Sequence, residues 1–227
     1  SVHAARKNLG ALKETVADSL KMVLALAIPS TVGIIVLANP IVSVIFERGE
    51  FSAFDTQQTA NALMLYCLGL VAYSCVKVYV PTFYALSDTK TPVRISVATA
   101  LLHIALNLVF ILVFFPKGYE YLGLALGTAI ALIVNLSFLA SRFSRKLGSF
   151  RDLGVRTSFL KASLASMVMG VFVWLVYGLT ASLAVTFSGE VAVLSVSIFS
   201  GIVTYLIMGR LLGLEELELL WQRKNQR

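Results

Sequence analysis

Charge is scarce in this sequence. Asp, Glu, Lys and Arg make up 14% of its 227 residues, against about 25% in a soluble domain. The scarcity is also uneven. Six windows hold none of the four: Met22 to Phe46, Thr56 to Val76, Ile95 to Pro116, Tyr121 to Ser141, Ala162 to Gly189 and Val191 to Gly209. A water-soluble fold has too little polar surface to cover such runs, so a soluble globular protein is excluded. Cysteine is nearly absent. Cys67 and Cys75 lie eight residues apart, about 80° out of phase on a helix. They read as packing residues and give neither a disulfide framework nor a metal-ligand spacing. Two histidines, His3 and His103, are too few to build a metal site by themselves. The sequence also lacks a nucleophile elbow, a phosphate-binding glycine loop and an HExxH pair. No concentrated set of acids and bases suits an intramembrane protease or a lipid-modifying enzyme. The reading is not an enzyme, with transport or scaffolding left.

What is present is apolar. Hydrophobic residues make up 58% of the chain, and the mean hydropathy is +0.84. Each window runs about 19 to 28 residues, enough at 1.5 Å per residue to cross about 30 Å of hydrocarbon. Backbone groups there have no water to bond, so a spanning segment is a helix or belongs to a closed barrel. A barrel shows alternating strands of about ten residues; these windows are apolar on every side. The expectation is an all-α integral membrane protein with six transmembrane helices. The fifth window is too long for one span, and its helix is placed at Ala162 to Tyr177 with a loop through Leu179 to Ser188. No signal peptide is visible, and a chain beginning at Ser1 reads as a segment of a longer protein.

Basic residues orient the spans. Sixteen of the nineteen Lys and Arg fall on the side holding both termini and the second and fourth loops; Arg48 and Lys117 fall on the other, and Lys77 lies inside a span. Positive charge stays cytoplasmic, so both termini are expected in the cytoplasm. The net charge of +7 reflects this topology and favours anionic lipid headgroups. Its basic residues sit at helix ends without interleaved aromatics, which argues against nucleic-acid binding. Residues 1–21 read as a cytoplasmic amphipathic segment, with Leu9, Leu12, Val16 and Leu20 as an interfacial stripe. Four spans follow over 22–141, a basic cytoplasmic loop over 142–161, two final spans over 162–209 and an interfacial tail over 210–227, striped by Leu214, Leu217 and Trp221.

Polar groups inside spans are costly and normally face a protein interior or a wet cavity. Lys77 lies four residues before Pro81. It either snorkels to the headgroups or faces a cavity, and the apolar run on to Leu86 favours the cavity. There its ammonium would meet an anionic headgroup or a carboxylate. His103 and Asn107 share a helix face. They read either as interhelical hydrogen-bonding partners or as a cavity wall or cation site. Asn61, Asn135, Thr128 and Thr204 are weaker candidates. Gly123, Gly127 and Ala131 form a close-packing face. Pro29, Pro40 and Pro81 break or kink their helices.

Three stretches carry a resemblance: ALAIPSTVGIIVLANPIVSVIFERGEFSAFDTQQTANAL, YCLGLVAYSCVKVYVPTFYALSDTKTPV and NLVFILVFFPKGYEYLGLALGTAIALIVN. The distinctive parts are the turn of Phe46, Glu47, Arg48, Gly49 and Phe51, and the turn of Asp88, Thr89, Thr91 and Pro92. With these motifs the chain resembles the C-terminal part of the MurJ (MviN) family, lipid II flippases of the MOP exporter superfamily. The resemblance covers most of residues 20–140 and continues by hydropathy through the last two spans.

The resemblance implies helices nine to fourteen of a fourteen-helix flippase in the bacterial plasma (inner) membrane. Two six-helix lobes would face each other around a cavity. The substrate implied is lipid II, the undecaprenyl-diphosphate-linked disaccharide-pentapeptide, moved from inner to outer leaflet by alternating access. The last two helices would form a groove for the lipid tail. Partners implied are lipid II, membrane lipids and a missing N-terminal lobe holding the family's main cavity arginines. Lys77 matches a motif lysine. Some members bind sodium on the seventh, eleventh and twelfth helices, and His103, Asn107 and Thr128 fall near that place. No carboxylate lies on this third span, so coupling to membrane potential, H+ or Na+ stays open, with no other cofactor implied. The rival readings are another MOP exporter, for polysaccharide-lipid or drug, and a non-transporting membrane scaffold.

Overall fold

The computed structural model describes residues 2–115, 117–183 and 186–217, and the side chains of all of these except 2–8 and 151. Among the described residues there are helices and no strands. Eight α-helices follow in order: α1 Val2–Val36, α2 Ala38–Phe46, α3 Ala53–Cys67, α4 Leu70–Ala85, α5 Lys90–Val109, α6 Glu120–Leu147, α7 Val155–Thr180 and α8 Phe187–Leu211. A π-helical turn, Phe110–Phe114, ends α5, and 3-10 turns occupy Arg151–Leu153 and Ala181–Leu183. Among the described residues, six stretches are long and apolar enough to cross a membrane: Leu9–Val36, Ala53–Ala85, Lys90–Phe114, Glu120–Leu147, Val155–Leu183 and Phe187–Leu211. The six expected spans are therefore present.

Several boundaries differ from the sequence reading. The second window is two helices, α3 and α4, broken at Leu68 and Gly69. No proline marks the break. A Cβ at Gly69 would lie 3.0 Å from the Ala129 backbone, so α4 meets α6 where only glycine fits. The fifth span begins earlier, at Val155, and runs to Thr180, so the described part of the expected loop over 179–188 is mostly helical. Both ends of the basic stretch 142–161 are helical as well, in α6 and α7. The N-terminal segment is continuous with the first span. Val16 and Leu20 of its stripe are buried in the protein and are not an interfacial anchor. Leu214 and Leu217 also turn inward, against Gly209; Trp221 lies outside the described residues.

The chain divides into two compact units. The first comprises Ser1–Leu24 with Gly69–Phe159, and the second Ala25–Leu68 with Leu160–Arg227. In the first, α6 packs against α4 and α5. Its core is aromatic: Phe83 and Phe143 are fully buried, Tyr79 meets Phe143 edge-on at 5.5 Å, and Phe150 stacks on Phe143 at 4.9 Å. In the second, α2 packs on α3 around Ala38, Val42 and Ala60.

Local chemistry explains the two motif turns. In YALSDTKTP, α4 ends with Ser87 left-handed (φ 58°). The Ser87 amide donates to the Tyr84 carbonyl and the Asp88 amide to the Phe83 carbonyl, both at 2.9 Å. These two bonds form a Schellman closure. The Asp88 carboxylate then accepts from the Thr91 amide at 3.0 Å and the Thr91 hydroxyl at 2.7 Å, which stops one helix and starts the next. Lys146, at the end of α6, pairs with the same carboxylate. In FERGEF, Gly49 is left-handed (φ 60°) and Arg48 donates to the Val44 carbonyl at 2.8 Å. The Arg48 guanidinium also lies 4.9 Å from the Phe187 ring centroid. Glu47 accepts from the Thr56 hydroxyl at 2.7 Å, and Ser52 with Asp55 forms a capping box for α3.

Pro29 lies inside α1 without ending it. It has no N–H, so the Ala25 carbonyl one turn earlier loses its helical donor. Tyr205 of α8 supplies one: its buried hydroxyl donates to that carbonyl at 2.7 Å. Removing the hydroxyl strands a buried acceptor, so Tyr205→Phe should cost about 1–3 kcal/mol. Adding Pro29→Ala should restore most of the loss, because the new amide refills the bond. Thermal unfolding of the single and double variants in detergent checks both outcomes.

The Lys146 pair, and then the Thr91 hydrogen bonds, hold the Asp88 carboxyl well below the ordinary carboxylate range. A depressed folded pKa gives stability that is present above the unfolded value and lost as pH falls through the folded one. The melting-temperature gap between wild type and Asp88→Asn should therefore be constant from neutrality to about pH 5. It should narrow as the pH drops below about 4. A gap that does not narrow would contradict this account of Asp88.

Candidate functional site

In the first unit, α5 and α6 meet along a polar seam. Thr99, His103 and Asn107 recur every four residues on α5, and Thr128 and Asn135 face them from α6. Asn135 donates its amide to the Thr99 hydroxyl at 2.9 Å, and Thr99 donates in turn to the Ile95 carbonyl at 2.9 Å. His103 Nε2 lies 3.0 Å from Thr128 Oγ1 and 3.2 Å from the Asn107 amide. The structure thus brings together the three residues named for a cation site. It adds the Asn135–Thr99 pair, which the sequence did not join.

The Thr128 hydroxyl spends its proton on the Leu124 carbonyl at 2.8 Å. His103 Nε2 then meets the Thr128 oxygen as an Nε2–H donor, or the Asn107 amide as an acceptor, according to its tautomer. Gly127 makes room for the Asn107 amide, since a Cβ there would overlap its Oδ1. The amide oxygens of Asn107 and Asn135 are both buried without a hydrogen-bond partner.

The seam's direct chemical work is to join two helices, at roughly 0.6–2 kcal/mol per bond in a membrane. Its donor set toward a cation is neutral: two hydroxyls, two amide oxygens and an imidazole. Among the described residues no group of three or more His, Cys, Asp or Glu is placed to hold a metal ion. A multi-carboxylate metal site does not fit these residues.

Lys77 lies outside the seam. The buried face of α4 carries Ala72, Cys75, Tyr79, Thr82 and Phe83, while Tyr73, Lys77, Pro81 and Tyr84 line its exposed face. The Lys77 ammonium lies 4.3 Å from the Tyr73 ring centroid and forms no salt bridge among the described residues. Pro81 withholds the amide that would bond the Lys77 carbonyl. Tyr73 was missed in the sequence, although its four-residue spacing from Lys77 was the available signal.

The weaker candidates Asn61 and Thr204 have partners within the protein. Asn61 ends a chain of amides, with Asn39 donating to Gln57 at 2.9 Å and Gln57 to Asn61 at 3.0 Å, which ties α2 to α3. Thr204 bonds back to the Ser200 carbonyl of its own helix. The motif residues from Phe46 to Phe51 and from Asp88 to Pro92 shape the turns described above. The second unit holds an apolar groove of about 490 Å³, lined by Pro29 and Gly33 of α1, Met169 and Val173 of α7, and Gly201 and Leu206 of α8. The two final helices, α7 and α8, thus line this groove together with α1.

The family model "Lipid II flippase MurJ" matches residues 1–194. Relatives described as probable lipid II flippase MurJ include one from Rickettsia prowazekii (strain Madrid E), 31% identical over 81% of this chain and 37% of its own length. Another, from Vibrio cholerae, is 32% identical over 86% of this chain and 36% of its own length. The lipid II flippase MurJ of Thermosipho africanus is 36% identical over 67% of this chain and 29% of its own. A solved structure, "Lipid II flippase MurJ, inward closed conformation", superposes with a TM-score of 0.71 at 28% identity, covering 98% of this chain and 41% of that one. The chain thus spans little more than a third of the length of the curated relatives it matches. It is a multi-pass membrane protein and belongs to the MurJ lipid II flippase family.

Proposed function

We propose that this chain is the C-terminal portion of a flippase that carries lipid II from the inner to the outer leaflet of the bacterial plasma membrane. Both ends of the segment then face the cytoplasm, and the remaining helices of a complete transporter close the other half of the cavity. The observation that carries the reading is Lys77: a cation without a carboxylate partner among the described residues, on the exposed face of a transmembrane helix, in a chain of this family. The diphosphate of lipid II meets a large desolvation barrier in hydrocarbon. A wet cavity holding an ammonium lowers that barrier, while the apolar groove of the second unit accommodates part of the polyprenyl chain.

The energetics also suit an inside-negative membrane. Each unit of negative charge moved outward gains about 2.3 kcal/mol per 100 mV, so the substrate's own charge couples transport to the potential without a bound ion. An H+ or Na+ gradient would act through the His103, Asn107 and Thr128 cluster, whose neutral donors make it the weaker means of coupling.

In the complete polypeptide, Lys77→Ala should lower lipid II flipping about tenfold or more, Lys77→Glu should abolish it, and Lys77→Arg should retain most of it. The check is a vesicle flipping assay run beside other polyprenyl-linked sugars. Full activity of Lys77→Glu would overturn the reading, and equal transport of unrelated polyprenyl sugars would favour a broader exporter.

A further inference from the structure

Lys77 lies within the apolar stretch Ala53–Ala85, long enough to cross a membrane. It lies eight residues before the end of α4 at Ala85, about 12 Å along the helix. No carboxylate pairs with it among the described residues. The group closest to compensating its charge is the Tyr73 ring, whose centroid is 4.3 Å away. This contact follows from helix geometry. Cα–Cβ bonds tilt toward the helix N-terminus, so a side chain covers the turn before its own. Lys77 therefore falls across Tyr73, four residues earlier on the same exposed face. The ring presents a negative π face to the cation and holds it more strongly as water is withdrawn. Tyr73 is itself about half exposed, at 46%, so the contact is open to a third group from the side away from α6.

We propose that Tyr73 is the positioning residue for Lys77, its ring face fixing where the ammonium meets an anionic diphosphate. The proposal rests on the reading of Lys77 as the headgroup contact. An unsupported lysine on a four-carbon stem samples many rotamers and loses that freedom on binding. With the ring beneath it, the ammonium is held in place before the ligand arrives. The ring occupies one side of the cation and leaves its remaining N–H donors for phosphate oxygens. The work is assigned to the ring and not to the hydroxyl, because the recorded contact is with the ring centroid.

The test uses the complete transporter in nanodiscs and a short-chain polyprenyl diphosphate as probe, with the dissociation constant as readout and the melting temperature as a control for folding. Tyr73→Phe keeps the ring and should bind as wild type. Tyr73→Leu and Tyr73→Gln should each weaken binding by about three- to thirtyfold. In a Lys77→Ala background, Tyr73→Leu should change nothing further, whereas a merely structural role would still show its loss there. Tyr73→Leu binding as wild type while Lys77→Ala binds weakly would overturn the positioning role alone. Tyr73→Phe weakening as much as Tyr73→Leu would also overturn it, by moving the work to the hydroxyl. Wild-type binding by Lys77→Ala would instead sink the underlying reading of the cation.

Discussion

The bond from the Tyr205 hydroxyl to the Ala25 carbonyl, 2.7 Å long, expresses the constraint on which this structure depends. Inside a bilayer, a polar group that loses its partner finds no water to replace it. Pro29 removes one donor from α1, and α8 returns one. A proline in a membrane helix then becomes a joint held from outside the helix. Serine and threonine hydroxyls answer the same constraint by bonding the carbonyl three or four residues earlier, as at Ser30, Ser74, Thr82, Ser166 and Ser197.

Against that background, the few incompletely satisfied groups stand out, and they differ in kind. The α5–α6 seam is a nearly closed network whose leftovers are the amide oxygens of Asn107 and Asn135. Its neutral groups bind two helices and cost little to bury. Lys77 is a full charge, and its recorded partner is an aromatic face. The energetic asymmetry between a spare carbonyl and a bare ammonium makes Lys77 the better candidate for contact with an anionic substrate. The seam is better understood as the joint that keeps α5 and α6 together.

Much of this was legible in the residues, for physical reasons. Spans announce themselves because lipid tolerates no charge, and turns announce themselves because Ser, Asp, Thr and Gly have few other uses in such a chain. Adjacency on one helix placed His103 with Asn107. What escaped depended on a neighbouring helix or on close approach. The break at Leu68 and Gly69 follows from α6 packing against a glycine, and nothing within α3 or α4 forecasts it. Val16, Leu20, Leu214 and Leu217 read as interfacial because an amphipathic stripe looks the same whether lipid or protein covers it. Tyr205 gave no signal, since the carbonyl it serves belongs to another helix. Tyr73 could have been found: helical spacing alone places it under Lys77.

The central claim is that Lys77 faces water within the membrane and that the apolar surfaces around it face lipid. Cysteine labelling with a membrane-impermeant, charged thiol reagent tests this most directly, in the complete protein in native membranes. Native Cys67 and Cys75 are both buried and serve as the unreactive background. Lys77→Cys should label readily and be protected by lipid II, while Leu101→Cys, on an exposed apolar face of α5, should stay unlabelled. If position 77 were as inert as position 101, the ammonium would face lipid and the account of this site would be wrong.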